Sequence, residues 1–134
     1  MKNILILGNG AREETIMDIL YQNNKDINCE FSNKEEFKTI KDICVQRKID
    51  MVIPSTEVYL CKGIKDYLKK EIENIKVFGP TKEQAKIEGS KHYSKKLMTE
   101  LNIPTSEYTF LNNYEGAIRF YNNSSVVAKD MVIK

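Results

Sequence analysis

Cysteine is scarce in this chain, and the three present, Cys29, Cys44 and Cys61, are odd in number and far apart. No Cys-x-x-Cys spacing occurs, which leaves neither a disulfide framework nor a zinc ribbon. The single histidine, His92, cannot complete a metal cluster with them. Free thiols in a reducing cytoplasm are the expectation. Long apolar runs are missing as well: nothing approaches the roughly 18–20 residues that cross a bilayer. The opening Met1-Lys2-Asn3, then Ile4-Leu5-Ile6-Leu7 and Gly8, is too short for a signal peptide and reads as a strand. Charge of one sign is also wanting. The net charge is only +2, with lysines interleaved among Asp and Glu, so there is no electrostatic case for nucleic acid or a membrane surface.

What is present is ordinary globular material, 41% hydrophobic and 30% charged over 134 residues. That length supports one real core and is too short for two full domains. Short β-branched runs alternate with longer amphipathic stretches, the signature of βαβ units and a parallel sheet. Asn3–Leu7 reads as the first strand and Ala11–Gln22 as the first helix, with Ile16, Ile19 and Leu20 toward the sheet. Ile27–Phe31 is a second, weaker strand. Lys34–Lys48 is a helix with Phe37, Ile40, Ile43 and Cys44 at helical spacing and Asn33 as its N-cap. Met51–Ile53 is a third strand, stopped by Pro54. Glu57 to about Glu71 is a third helix with Leu60, Ile64 and Leu68 on one face, and Ile75–Phe78 is a fourth strand ended by Gly79-Pro80.

The fold class that follows is α/β, a doubly wound and mostly parallel four-stranded sheet with helices on both faces. Beyond it the texture changes. Thr81–Glu88 and Ser90–Asn102 read as two short helices broken at Gly89, the second stopped by Ile103-Pro104. Glu107–Leu111 and Ser125–Lys129 read as strands around a helix from Tyr114 to Tyr121. The apolar Met131-Val132-Ile133 has no obvious partner, so this second, α/β segment is expected to be truncated.

Gly8-Asn9-Gly10-Ala11-Arg12-Glu13 lies between the first strand and the first helix. Its glycines permit a tight turn and let backbone N–H groups approach an anion at the helix N-terminus. Arg12 adds a planar donor fork suited to phosphate. Glu13 stands where a dinucleotide fingerprint has its third glycine, which favours a phosphate or phosphosugar over NAD. A plain strand-to-helix turn remains the alternative. Ser55-Thr56-Glu57 follows the third strand, at the edge where open α/β sheets bind ligands. Capping of the next helix by Ser55 or Thr56 is the favoured role, with Glu57 available to a sugar hydroxyl or an amine. Gly79-Pro80-Thr81 reads as strand end, turn and N-cap. His92 reads as a helix-surface residue, and the aromatic residues as core and rim.

One set of residues is more specific. Phe78-Gly79-Pro80-Thr81, then Ala85, then Ile87-Glu88-Gly89-Ser90-Lys91, resembles the junction segment of the phosphoribosylamine–glycine ligase family, ATP-grasp enzymes of purine synthesis. Ile103-Pro104-Thr105 with Tyr108, the Gly8–Glu13 turn, and Glu57 followed by Leu60, Gly63-Ile64 and Asp66 support it in the same order. The resemblance implies an N-terminal pre-ATP-grasp domain over residues 1–90 and the beginning of an ATP-grasp domain over 91–134. It implies the substrates phosphoribosylamine, glycine and ATP, with Mg2+, in the cytoplasm. Carried over by position, Gly8, Gly10, Arg12 and Glu57 would bind the phosphoribosyl substrate, and Lys91 and Lys129 the nucleotide phosphates. No catalytic residue or metal ligand is assigned.

Three departures from the family pattern stand out. Glu14 replaces a usual His, and a Gly-Asn-Ala-Gly-like loop after the second strand is replaced by Phe31-Ser32 running directly into a helix. The sequence also stops before the glycine-rich ATP loop and the acidic Mg2+ ligands, so a fragment or a reduced form is expected. The rival from another class is a non-catalytic phosphosugar- or nucleotide-binding module, or a subunit docking on a separate ATP-grasp chain. An NAD-binding domain using Glu30 as the ribose acid is disfavoured by Glu13.

Overall fold

Strands need partners for their backbone groups, and four runs of this chain find them in one sheet. The computed structural model describes residues 1–123. β1 (Lys2–Leu7), β2 (Ile27–Ser32), β3 (Met51–Pro54) and β4 (Lys76–Val77) lie in the order β2-β1-β3-β4. Every pairing is parallel, with Leu5 opposite both Glu30 and Val52, so the sheet is wholly parallel. β1 sits centrally because Ile4-Leu5-Ile6-Leu7 is apolar on both sides of its pleat, as a strand covered on both faces must be.

Helices supply both covers. α1 (Ala11–Asn23) lays Ile16, Met17 and Leu20 against Ile4, Ile6 and Cys29. On the other face, α2 (Phe37–Gln46) and α4 (Ile64–Glu71) bring Ile40, Cys44, Ile64 and Leu68 against Leu5 and Val52. Ile19 does not join α1's inner face as its spacing suggested. It is 54% exposed, and Met17 takes the inward position. Cys29 and Cys44 are buried thiols of this core. Burial, with the charge of Glu30, pushes Cys44 up to about 11.

The expected helix from Glu57 to Glu71 is two helices. α3 (Glu57–Lys62) ends at Gly63, whose φ of 97° is left-handed and whose N–H donates to the carbonyls of Leu60 (2.9 Å) and Tyr59 (3.1 Å). A glycine at that position closes one helix, and here the next starts at once. α2 likewise begins three residues later than expected, after Glu36 rather than an Asn33 cap. The Lys34 N–H donates to the Ser32 hydroxyl (3.3 Å), a local bond that competes with helix formation. The chain from Asn33 to Glu36 is therefore an irregular loop, so β2 does not run directly into a helix.

α5 (Lys82–Gly89) opens on a Thr81 cap as its sequence suggested. Thr81 Oγ1 accepts from the Gln84 N–H (3.4 Å) while the Gln84 side chain accepts from Thr81 N–H (3.0 Å). The helix runs through Gly89, and the break falls at Ser90. α6 (Lys91–Glu100) follows, then irregular chain, then α7 (Tyr114–Asn123). Two compact units result, Met1–Ser94 and Lys95–Lys134. In the second, Lys95 Nζ donates to the Thr105 hydroxyl (2.6 Å) and the Ser106 carbonyl (3.0 Å), and Tyr108 meets Phe110 edge-on. Glu107–Leu111 is not a strand: among the described residues of this unit no other strand offers it hydrogen-bond partners. The strand expected over Ser125–Lys129, Lys129 included, lies outside the described residues.

Candidate functional site

The order β2-β1-β3-β4 makes the chain leave β1 and β3 toward opposite sides of the sheet. Loops at the carboxyl ends of such strands diverge and leave a crevice. The two loops here are Gly8–Gly10 and Ser55–Thr56, and a cleft of about 290 Å³ opens between them. Its walls include Gly8, Asn9, Gly10, Glu13, Ser55 and Thr56, with Glu35, Val58, Tyr59 and Lys62 completing it.

Gly8 turns the chain with φ 128°, donating its N–H to the Ser32 carbonyl at 2.8 Å. A Cβ there would lie 2.7 Å from both the Glu13 carboxyl carbon and the Ser55 hydroxyl. Gly10 is the N-cap of α1, so the turn falls where the sequence put it. Its N–H is not open to an anion, however. Glu13 reaches back and accepts it at 2.5 Å, the N3 half of a capping box. Glu13 is therefore a buried structural carboxylate and not merely a missing glycine. The Ser55 hydroxyl and the Gly10 N–H hold its carboxyl below the usual carboxylate range.

That shift has a sign. A carboxyl lowered on folding stabilises the fold above its ordinary value of 4.5, and the contribution fades as pH falls through the folded value. Glu13→Gln is therefore expected to flatten the acid limb. Urea midpoints measured from neutral pH downward should show the difference between wild type and Glu13→Gln shrinking below about pH 4.5, whereas a constant gap would contradict the assignment.

Arg12 lies beside this frame. Its Nη1 donates to the Ser55 carbonyl at 2.9 Å, tying the first turn of α1 to the end of β3, and it does not line the cleft. Capping of α3 by Ser55 or Thr56 is not realised. Thr56 occupies the N-cap position without a side-chain bond, and the Ser55 hydroxyl is shared between the Leu7 carbonyl, at 2.6 Å, and the Glu13 carboxylate. Glu57 is exposed in α3's first turn, outside the lining. Lys91 is exposed at the start of α6. Glu30, weighed above as a ribose acid, forms an ion pair with Arg47.

Sequence reasoning missed Glu35, Tyr59 and Lys62. Lys62 is the last residue of α3, so recognising Gly63 as a helix stop would have placed it at a helix end. Its Nζ lies 3.3 Å from Glu35 Oε2. Tyr59 is buried, and its hydroxyl is raised by burial and by the charges of Glu35 and Glu13. Among the described residues there is no group of three or more His, Cys, Asp or Glu side chains placed to hold a metal ion. None of the described helices is long and apolar enough to cross a membrane.

The Phe78–Lys91 segment acts as a brace. Gly79 has φ 120°, and a Cβ there would stand 2.9 Å from a Leu60 methyl; at Gly89 it would stand 2.6 Å from Cys61 Sγ. With Ala85 buried, these glycines let α5 dock closely on α3, the helix that carries Tyr59 and Lys62.

Residues 22–88 match the family described as phosphoribosylglycinamide synthetase, N domain. A phosphoribosylamine–glycine ligase of Caldanaerobacter subterraneus is 33% identical over 132 residues, covering 87% of this chain and 31% of the relative. One from Mesorhizobium japonicum is 35% identical, with 86% of this chain and 30% of the relative covered. The bifunctional purine biosynthetic protein ADE5,7 of Saccharomyces cerevisiae is 34% identical over 90% of this chain and 17% of its own length. The chain thus spans less than a third of each of these relatives.

Proposed function

The chain belongs to the phosphoribosylglycinamide synthetase N-domain family, and on that premise we propose that it serves the ATP-dependent joining of glycine to phosphoribosylamine in purine biosynthesis. Residues 1–90 are its substrate domain and 91–134 the opening of an ATP-grasp domain. The cleft between the β1 and β3 loops carries this reading, because it stands at the switch point of a parallel sheet and is walled by glycine backbone. Gly8 and Gly10 let the substrate's phosphoribosyl group approach the main chain, with Arg12 and Glu57 beside them. Lys91 and Lys129 are assigned to the nucleotide phosphates, by likeness to ATP-grasp ligases. Phosphoryl transfer needs Mg2+ and a clamp over the nucleotide, supplied by the ATP-grasp part of the same or a separate polypeptide.

Ribose 5-phosphate titrated into the chain by calorimetry should bind saturably. Arg12→Ala should weaken binding roughly tenfold, the scale of one charged hydrogen bond. Affinity unchanged by Arg12→Ala would remove Arg12 from the phosphate site and leave it as the tie to Ser55.

A further inference from the structure

The cleft's own cation is Lys62. Arg12 is bonded to the Ser55 carbonyl outside the lining, whereas Lys62 lines the cleft directly. Its ammonium is held 3.3 Å from Glu35, which comes from the irregular loop after β2. The cleft's other carboxylate, Glu13, is buried and engaged with the Gly10 N–H, so it cannot move without uncapping α1. Glu35 has no such duty. Its side chain is 76% exposed and that of Lys62 54%, the condition under which an ion pair is worth little and is readily exchanged.

We propose that Lys62 is a second phosphate-receiving cation, inside the cleft that Arg12 only flanks, and that Glu35 is a displaceable carboxylate occupying it until a phosphate monoester enters. The proposal rests on the phosphosugar reading of the site and adds its charge logic. A carboxylate and a phosphate monoester are both oxyanions that an ammonium can pair with, and the phosphate brings the larger charge. A neutral sugar has nothing with which to displace Glu35. Selection for the phosphorylated form therefore lies in the exchange itself.

Wild type, Glu35→Gln, Lys62→Gln and the double variant would be titrated with ribose 5-phosphate, inorganic phosphate and ribose, with thermal melts confirming that each is folded. Glu35→Gln should bind both phosphates about two- to fivefold more tightly, the fold-change of one exposed ion pair. Lys62→Gln should bind them at least about tenfold more weakly. In the double variant the gain from Glu35→Gln should vanish, and ribose affinity should not change in any of them. Equal affinity of wild type and both single variants for ribose 5-phosphate would overturn the role of Lys62 and leave the site standing. Failure of all four proteins to bind it would overturn the site and the inference together.

Discussion

Leu68→Ala is expected to lower the unfolding free energy by about 3–4 kcal/mol, within the usual range for deleting a buried leucine. Leu68 is fully buried on α4, one turn beyond the equally buried Ile64, in the cluster with Leu5 and Val52. The loss combines transfer of the missing methyl groups with a cavity that the parallel sheet cannot collapse to fill. For a domain of this size the midpoint should fall by more than roughly 10 °C. Val45→Ala is the matched control, because Val45 is 59% exposed on α2 and should cost less than about 0.5 kcal/mol. Urea titrations would show the midpoint of Leu68→Ala shifted at constant slope. A cost below about 1 kcal/mol would mean that α4 is not packed on the sheet.

The core was legible because its signals are local. β1 is an uninterrupted apolar run ending in glycine, and Ile40, Cys44, Ile64 and Leu68 keep the four-residue spacing of a buried helix face. That same spacing hid the break at Gly63. α3 and α4 bury the same side, so Leu60, Ile64 and Leu68 read as one continuous stripe across the stop. Tyr108 and Phe110 alternate like a strand, but propensity cannot supply the hydrogen-bond partners a strand needs. The glycine turn of the site was legible for its position, and its chemistry was not. Glu13 looked like a lost fingerprint glycine, although an acid three residues after an N-cap is itself a capping signal. Glu35 and Lys62 come from connections after different strands. Nothing local announces that they meet, since only the strand order brings those connections together.

The other large effect falls within the site, where Gly8→Ala is expected to cost about 3 kcal/mol or more and Gly10→Ala less than about 1. The two glycines share one loop and differ in conformation. Gly10 has φ −104°, open to any residue, and an added Cβ would meet only the end of the Glu13 side chain at 3.1 Å. Gly8 has φ 128°, where L residues are strained by roughly 1–3 kcal/mol. Its added Cβ would also fall 2.7 Å from Ser55 Oγ and from the Glu13 carboxyl carbon. Relief requires Glu13 to swing away, which uncaps α1 at a further cost of about 1 kcal/mol. A double-mutant cycle separates the causes. Glu13→Ala removes the clash and the cap together, so Gly8→Ala should cost less in that background, leaving mainly the backbone strain and the contact with Ser55. Additive costs would show that Glu13 does not pack against Gly8. Equal costs for Gly8→Ala and Gly10→Ala would deny the left-handed turn on which the shape of the cleft depends.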